Sequence, residues 1–501
     1  MISCMRKAAG VAGFSLLLAG CAIGPKYRRP AAPAPPAYKE ASPANGQWKT
    51  AAPNEGALRA NWWEMFGDPQ LNKLEPMVAA ANQSVKQAEA QLRQARALVR
   101  LNQANYYPTV TGQVSITGSR TPGTLGRGTA ATSGLYSLPL GASWEPDFWG
   151  RVRLTVENAT ASAQATAADL ENVRLVLQAE LAADYFQMEG IDMDAQLLTD
   201  TLAAYQKAVD LTINRFNGGV ASKADVAQAQ TQLASTRAQL TDLGVLRSQL
   251  EHAIAVLTGQ PPATLSLAPG KIQAPPPPIP AGLPSELLER RPDIAAAERL
   301  VAAANAEIGL AQTAYYPTLT LSASGGVESN SITTWLSWPA RFWSLGPALA
   351  ETLLDFGRRR AQVQGAEAAY DATVASYRQT VLTAFQEVED NLAALRILDR
   401  EAVEQDVAVK SSAESLHLEM DRYKSGTVSY LDVITTQTIA LTNQVAAEGI
   451  LSRRMSAAVQ LIRALGGGWN ASSLPAPGAL RDAAPAQPAS PQPRQQAPAQ
   501  P

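Results

Sequence analysis

The chain has 501 residues, of which 42 are basic and 44 acidic, with two cysteines and two histidines. Basic and acidic residues nearly balance, and the sequence has no basic cluster of the kind that binds nucleic acid. Two cysteines are too few for a disulfide framework. No catalytic, phosphate-binding or metal-ligand motif occurs, so we expect neither an enzyme nor a cofactor or metal site. His252 and His417 lie in helical stretches without ligand spacing, which favours a surface or interhelical role.

Residues 1–20 are typical of a secretory signal, because a basic pair precedes an apolar core over 8–18 that is too short to span a bilayer. The segment ends in Leu-Ala-Gly before Cys21, which resembles the lipobox of bacterial lipoproteins. That resemblance implies lipidation of Cys21, and Ala22 implies the outer membrane. We expect a lipoprotein signal peptide over 1–20 and a lipidated, Pro- and Ala-rich N-terminal tether over 21–60. The alternative is an ordinary signal followed by a stray cysteine.

The next segment changes its hydrophobic period from helix to strand. A helix is predicted over 68–104, and it must end before Pro108 because a residue that precedes proline avoids the helical region. Alternation with a period of two then predicts strands over 109–117 and 135–144, around a Gly/Thr/Ser loop over 118–134.

A very long helix follows. Residues 151–217 contain no proline and one interior glycine, Gly190, so these 67 residues would extend about 100 Å at 1.5 Å per residue. Gly218-Gly219 ends this helix, and a return helix is predicted over 222–257. Helices of this length cannot fold back inside a globule and favour coiled-coil packing.

Four landmarks of this first unit recur in the same order about 208 residues later. The pairs are Asn105–Val110 with Ala314–Leu319, Asp147–Arg151 with Asp355–Arg358, Arg215–Val220 with Arg422–Thr427, and Leu257–Gly259 with Leu465–Gly467. One structural unit is therefore used twice.

The second unit repeats the order helix, strand, strand, long helix, turn and helix. Its predicted elements are a helix from Pro292 to Tyr316, strands over 318–327 and 342–353, a long helix over 358–424 and a return helix over 429–465. The expected domains are a first repeat over 61–270, a Pro-rich linker over 271–284, a second repeat over 285–470 and a disordered Pro/Gln/Ala-rich tail over 471–501.

Four strands cannot close a membrane barrel, since the smallest such barrels have about eight strands. Their edges would stay unpaired unless other chains supply partners. Three copies give twelve strands, although the strand count alone allows other multiples. Pro139 and Pro347 stand at equivalent places in the second strand of each repeat, and we expect them to mark bulges or strand ends. The residues therefore predict a mainly α fold with long coiled-coil helices and a trimeric 12-stranded β-barrel.

Several motifs resemble the TolC-like outer membrane efflux proteins, and in particular their NodT-type outer membrane factor lipoproteins. They are Cys21–Pro30, Trp62-Trp63 with Phe66 and Asp68–Leu71, Glu289–Ile294 with Ala297-Glu298, and Leu465–Trp469. The resemblance implies a homotrimer whose barrel crosses the outer membrane and whose tunnel crosses much of the periplasm. It also implies a periplasmic adaptor (membrane fusion) protein and a proton-driven inner-membrane pump as partners. The implied function is a passive exit duct for drugs or other small toxic compounds.

In the resembled family the helix turns form the periplasmic tip of the tunnel. The resemblance implies adaptor-docking tips at Gly219, Val220, Ser222, Gly426, Thr427 and Ser429, and a pore gate at Asp225, Tyr423 and Asp432. Val428 and Thr435 stand where some members have a gate arginine and a second acid, so fewer polar contacts would hold the closed state. Each turn also carries Ser-x-x-Asp, which leaves open a purely structural role as a helix cap. Threefold symmetry would bring three Asp432 carboxylates together and favour cations.

Two alternatives remain open at this point. The same duct could secrete proteins or peptides in a type I-like system, or the chain could be a structural coiled-coil lipoprotein without a pore. Tryptophans give a further expectation: Trp335, Trp338 and Trp343 suit a membrane interface, whereas Trp62 and Trp63 suit internal packing.

Overall fold

The computed structural model describes residues 23–40, 61–122, 124, 130–280, 282 and 284–482. The predicted signal peptide, the lipidation site at Cys21 and the last 19 residues of the predicted tail, 483–501, lie outside this described part.

In the described residues, the first repeat has four α-helices and three strands. They are α1 (Leu71–Ala81), α2 (Gln83–Gln103), β1 (Thr109–Gly112), β2 (Ser115–Thr121), β3 (Ala131–Trp144), α3 (Arg151–Asn217) and α4 (Lys223–Leu257). The second repeat, with the segment after it, contains α5 (Leu287–Arg290), α6 (Pro292–Thr313), β4 (Thr318–Ser329), β5 (Arg341–Ala350), α7 (Arg358–Lys424), α8 (Tyr430–Ala464) and α9 (Pro477–Asp482). The two predicted 67-residue helices are confirmed with the bounds expected from the sequence.

Both long helices begin in the same way. The Asp147 carboxylate accepts hydrogen bonds from the backbone nitrogens of Val152 and Arg153, each at 2.8 Å, beside the left-handed Gly150. Asp355 accepts from the nitrogens of Gly357 and Arg359, each at 3.1 Å. A carboxylate thus satisfies the free N–H groups and the positive dipole end of α3 and of α7.

The single helix predicted over 68–104 is wrong, because the chain breaks at Asn82 into α1 and α2. Asn82 adopts an extended conformation, and its side chain accepts from Ser84 N at 2.8 Å and Val85 N at 3.4 Å. This is an N-cap, and it restarts the helix in a new direction. The Asn82 side-chain amide also donates to the carbonyl of Leu257 at 2.9 Å, which ties the break to the end of α4.

The five strands form one antiparallel sheet in which β1 and β2 both pair with β3, followed by β4 and β5. Pairing of β3 with β4, with Leu138 opposite Val327, joins the two repeats. The loop predicted over 118–134 is too long, because β2 continues to Thr121 and β3 begins at Ala131. Small and β-branched residues continue the ladder there, with Ser119 opposite Ser133.

The expectation that Pro139 marks a bulge or a strand end is wrong. Pro139 lies inside β3, where its carbonyl accepts from Gln113 N at 3.1 Å and the register is the same on both sides. Because proline has no N–H to return the bond, the ladder is only interrupted between β1 and β2. Pro347 likewise lies within β5, opposite Leu321. The two prolines are also not equivalent: Thr109 pairs with Ser143, four residues beyond Pro139, and Thr318 pairs with Ala350, three beyond Pro347.

The helix α3 is the centre of the helical part, since it packs against α2, α4, α6 and α8. Contacts of α3 with α6 and α8 join the repeats along their length. The largest apolar cluster includes Trp62, Trp63, Leu181 and Ile254, so the predicted packing role of both tryptophans is confirmed. None of the helices in the described ranges has an apolar stretch long enough to cross a membrane.

Residues 23–40 are packed, which corrects the interpretation of this part of the tether as free chain. Tyr38 is buried beside Leu287 and Tyr377, and the backbone nitrogens of Lys39 and Glu40 donate to Glu389 at 2.7 and 2.9 Å. Aromatic side chains within a Pro- and Ala-rich segment supply enough apolar area to hold it on the helices.

The tail prediction is wrong over 471–482. These residues form a short 3-10 turn and α9, and Leu480 of α9 is fully buried beside Val99 and Ala163. Leu480 in the groove between α2 and α3, packing of Leu474, and a bond from the Gln164 amide to Pro475 O at 3.0 Å anchor the segment, which a composition rich in Pro and Ala does not reveal.

Candidate functional site at the paired helix turns

The turns that follow α3 and α7 have the same backbone geometry. After α3, Val220 N donates to Arg215 O at 2.8 Å, and Gly219 has a φ of 76°. After α7, Thr427 N donates to Arg422 O at 3.0 Å, and Gly426 has a φ of 81°. Glycine is favoured at both places because the left-handed conformation ends the helix without a Cβ clash.

Each return helix begins with a capping box. The Ser222 nitrogen donates to Asp225 Oδ2 at 2.8 Å, and Asp225 N donates to Ser222 Oγ at 3.1 Å. At the second turn, the nitrogen and the hydroxyl of Ser429 both donate to Asp432 Oδ2, at 3.0 and 2.8 Å. The role of Ser222 as a cap is therefore confirmed, Ser429 is fixed by the bonds that it donates to Asp432, and both predicted gate carboxylates make these bonds within one chain.

The two turns are joined by Arg215. Its Nη1 donates to the carbonyls of Tyr423 at 2.9 Å and Lys424 at 3.3 Å, and its guanidinium carbon lies 4.7 Å from the centre of the Tyr423 ring. The first turn thus supplies a cation to the carbonyl end of α7, where a positive charge is favoured.

A tyrosine cluster lies beneath this contact. Tyr423 is only 3% exposed, its ring centre is 5.3 Å from that of Tyr430, and its hydroxyl lies 3.3 Å from Thr212 Oγ1. Tyr205 and Val433 are buried in the same cluster. Burial next to the other tyrosines raises the pKa of Tyr430 to about 12, so the Tyr430 hydroxyl is neutral at physiological pH.

A groove of about 370 Å³ opens beside this cluster, between α3 and α7 with α8 as its floor. Tyr205, Met420 and Gln437 are among its lining residues. The groove is a largely apolar recess near the paired turns, and α7 supplies one of its sides.

The structure brings some predicted site residues together and separates others. Val220, at 68% exposure, and Thr427 lie on the surface of the turns, as a docking role requires. Tyr423 is buried in the tyrosine cluster instead of facing open space. Val428 packs at the edge of that cluster, and Thr435 Oγ1 bonds its own helix at Leu431 O, at 2.9 Å.

Sequence reasoning missed Arg215, Tyr205 and Tyr430. Arg215 precedes the glycine turn in the first repeat as Arg422 does in the second. That repetition was visible, yet only the fold places Arg215 beside the turn of the other repeat.

A second polar cluster lies far from the turns, where α1 meets the middle of α3. The Tyr185 hydroxyl is 3.1 Å from Asp68 Oδ2 and 3.1 Å from Glu189 Oε1. One hydroxyl can donate to only one of these oxygens, so a protonated Glu189 completes the arrangement. Burial, followed by the charge of Asp68, raises the pKa of Glu189 to about 7, which fits this reasoning.

Further along α3, Asp194 faces Glu448 of α8. One carboxyl oxygen of each is buried and has no hydrogen-bond partner among the described residues. Burial raises the pKa of Asp194, and burial together with the Asp194 charge raises the pKa of Glu448 to about 7. Two neighbouring carboxyls in a partly buried place disfavour ionisation of both at once.

Comparison with known proteins adds a relationship over most of the chain. The model of the family described as outer membrane efflux protein matches residues 76–260 and 283–467. The chain is 32% identical to outer membrane protein OprJ of Pseudomonas aeruginosa over 475 residues, covering 93% of this chain and 97% of OprJ. It is 31% identical to the antibiotic efflux pump outer membrane protein ArpC of Pseudomonas putida over 459 residues, covering 91% of this chain and 94% of ArpC.

Among solved structures, the outer-membrane channel OprN superposes with a TM-score of 0.83 at 31% identity. The match covers 90% of this chain and all of the OprN chain. This likeness confirms the predicted mainly α fold with a β part.

Proposed function

This chain belongs to the outer membrane efflux protein family and is an outer-membrane efflux channel, and we propose that three copies form a passive exit duct for drugs and other small toxic compounds. In this proposal the duct receives its cargo from a proton-driven inner-membrane pump through a periplasmic adaptor. The cargo class is supported by the name of ArpC, an antibiotic efflux pump protein.

The observation that carries the proposal is the placement of sheet and turns at opposite ends of the long helices. Each long helix has 67 residues, or about 100 Å. Strands β3 and β5 lead into the starts of α3 and α7, and the exposed turns follow their ends. A strand region in the outer membrane therefore leaves the turns deep in the periplasm, where an adaptor can reach them.

Trimer formation is supported by the edges of the sheet. In the described chain, β1 and β2 form one edge of the sheet and β5 forms the other. Exposed edges of this length call for a partner, and a barrel made of several copies leaves no edge unpaired. In the proposed trimer, β5 of each copy pairs with β1 and β2 of the next copy, which closes a ring of strands. Within one chain, the pairing of β3 with β4 joins the two repeats in the same way.

The turns are the proposed docking surface for the adaptor. Gly219, Val220, Gly426 and Thr427 present the exposed ends of two adjacent hairpins, while Ser222 and Ser429 fix where the return helices begin. Asp225, Tyr423 and Asp432 remain the proposed gate residues.

Photo-crosslinking in living cells tests this assignment. A benzophenone side chain at Val220 or Thr427 should capture a periplasmic adaptor, because both positions are exposed at the tip. The same probe at Val245, also exposed but on the wall of α4, is the matched control and should capture none. Capture from Val245 alone, or from no position in cells with a correctly inserted channel, would contradict the docking assignment.

The identity of the captured adaptor separates the two transport functions. An adaptor that belongs to a proton-driven drug pump supports efflux of small compounds. An adaptor that belongs to an ATP-driven exporter favours the type I-like secretion of proteins or peptides through the same duct.

Anchoring through an acyl chain on Cys21 completes the proposal. Cys21→Ala should abolish labelling of the protein by radioactive palmitate, and labelling that persists in this variant would contradict the lipidation site. Since the barrel supplies its own membrane contact, we expect the variant channel still to insert.

A further inference from the structure

Phe356, between β5 and α7, is the most conspicuous unexplained side chain. It is 94% exposed, and among the described residues it alone combines a side chain other than hydrogen with a positive φ, of 51°. An aromatic residue in this conformation is strained and normally persists only where its surroundings require it. No residue in the described part of the chain covers Phe356, so its ring is free to contact a neighbouring molecule.

The first repeat shows what the corresponding position does. The segment Asp147-Phe148-Trp149-Gly150 matches Asp355-Phe356-Gly357, which is one residue shorter. Both segments place an aromatic residue directly before the left-handed glycine that starts a long helix. With one residue fewer between the capping aspartate and that glycine, Phe356 itself turns left-handed.

Trp149 has a partner in the other repeat of the same chain. Its ring stacks on Tyr316 with 5.1 Å between centres, and its indole nitrogen donates to Pro317 O at 2.7 Å. Tyr316-Pro317 follows the end of α6, and its counterpart Tyr107-Pro108 follows the end of α2 in repeat one. That counterpart is uncovered: Tyr107 is 72% exposed, against 40% for Tyr316.

The helices show the same asymmetry. The first turns of α3 pack on α6, and Val152, Leu154 and Val156 are buried there. In α7, by contrast, residues 358–376 include no buried side chain, although the structure describes all of them. The helix of repeat one that corresponds to α6 is α2, and it exposes Leu98 and Leu101. Within one chain, the start of α7 and the end of α2 thus each keep an exposed face that no other helix covers in the described residues.

These two open faces cannot meet within one chain. Tyr107 precedes β1, at one edge of the sheet, and Phe356 follows β5, at the other edge. They meet only when β5 of one copy pairs with the first strands of the next.

We propose that Phe356 is an inter-subunit contact residue whose ring packs on Tyr107 of the neighbouring copy, as Trp149 packs on Tyr316 within the chain. The inference rests on the proposed trimer and adds to it the residues that join sheet and helices between copies. Phenylalanine has no N–H, so the hydrogen bond to Pro317 O has no counterpart at Pro108, and aromatic packing alone makes the contact. The strained backbone aims the ring away from its own chain toward that partner.

A paired crosslinking experiment on the full-length protein in outer membranes tests the contact. Benzophenone at Phe356 should give a covalent dimer, and trypsin digestion of that dimer should release the probe attached to the peptide Leu101–Arg120, which contains Tyr107. Benzophenone at Trp149 is the matched control. It should crosslink within one chain, without a dimer band, to the peptide Leu300–Arg341, which contains Tyr316.

A second measurement checks the consequence for assembly. Phe356→Ala should lower the temperature at which the trimer dissociates in detergent, whereas Leu418→Ala, an exposed apolar residue far along α7, should leave it unchanged. A stable trimer in which position 356 captures lipid, another segment or only its own chain would overturn the contact while leaving the channel function intact. Absence of any trimer in the unmodified protein would overturn the proposed assembly itself.

Discussion

The Arg215 contact between the turns allows a quantitative prediction for Arg215→Ala. This change removes a guanidinium whose Nη1 bonds Tyr423 O at 2.9 Å and, more weakly, Lys424 O at 3.3 Å. It also removes the cation from the face of the Tyr423 ring, 4.7 Å away. The cost should be local, because the tyrosine cluster beneath keeps its own contacts.

The magnitude follows from these contacts. Because both carbonyls share one nitrogen, we count a single hydrogen bond from a charged group, worth about 1.5–2 kcal/mol. The cation–π contact at a half-exposed site adds roughly 0.5–1 kcal/mol. Loss of about 2–3 kcal/mol should raise the population with a detached second turn by roughly 30- to 150-fold, since 1.4 kcal/mol is a factor of ten.

Hydrogen exchange of the amides around Ser425 to Thr427 measures this population directly. In Arg215→Ala their exchange should be faster by that factor, and in Arg215→Lys by a smaller one, because lysine keeps the charge without the planar fork. Arg237→Ala, an exposed arginine on α4, is the control and should not change exchange at the turn. Equal exchange in Arg215→Ala and Arg237→Ala would refute the reasoning.

Four further predictions follow from particular residues. Glu448 has a folded pKa of about 7 against 4.5 for the free group, so its ionisation should lower stability as pH rises from about 4.5 to about 7. In Glu448→Gln the melting temperature should therefore fall less across this window than in the unmodified protein, and an unchanged fall would contradict the raised pKa of Glu448. Glu75 is fully buried without a hydrogen-bond partner in the described part of the chain, and burial raises its pKa to about 9. Glu75→Met should therefore raise stability by roughly 1–3 kcal/mol in denaturant unfolding, whereas a loss would contradict this account. A Cβ on Gly326 would lie 2.2 Å from Leu138 O, whereas one on Gly325 meets nothing closer than 3.6 Å, so Gly326→Ala should reduce the yield of folded protein in outer membranes and Gly325→Ala should not. Equal yields would show that β3 and β4 can separate to admit the methyl group. Asp432→Asn should reduce cation selectivity in bilayer recordings if three Asp432 carboxylates face one pore, and unchanged selectivity would leave Asp432 as a helix cap only.

The helical architecture was predictable because its ends are marked by residues with strong backbone preferences. Asp147 and Asp355 start the long helices, and Gly219 and Gly426 end them. Between these marks no proline interrupts 67 residues, so the bounds of both helices agree with the prediction. Because the sequence contains the same unit twice, each element predicted in one repeat could be compared with the corresponding element of the other repeat.

Other features depended on contacts that composition and period do not encode. Asn82 divides the predicted first helix because its side chain finds the N–H groups of Ser84 and Val85 and the carbonyl of Leu257. Tyr38 and Leu480 fix segments whose Pro and Ala content suggests free chain. Both segments are held by contacts with helices distant in sequence, including the bonds of the Lys39 and Glu40 nitrogens to Glu389 and of the Gln164 amide to the carbonyl of Pro475.

The sequence predicted where the candidate site lies, but not the contact that joins its two turns. Gly219, Gly426 and the Ser-x-x-Asp caps are visible in the sequence and have the expected local geometry. The bond between Arg215 and the carbonyl of Tyr423 spans 208 residues, and only the fold brings the two turns together.

The central claim, that this channel is the exit duct for small toxic compounds, is tested most directly by drug susceptibility. Minimal inhibitory concentrations for a panel of antibiotics should fall several-fold when the gene is deleted and recover when the full-length chain is restored. Unchanged concentrations in the deletion strain, in a host that normally makes the protein as an outer-membrane trimer and has no second channel for the same pump, would contradict the claim.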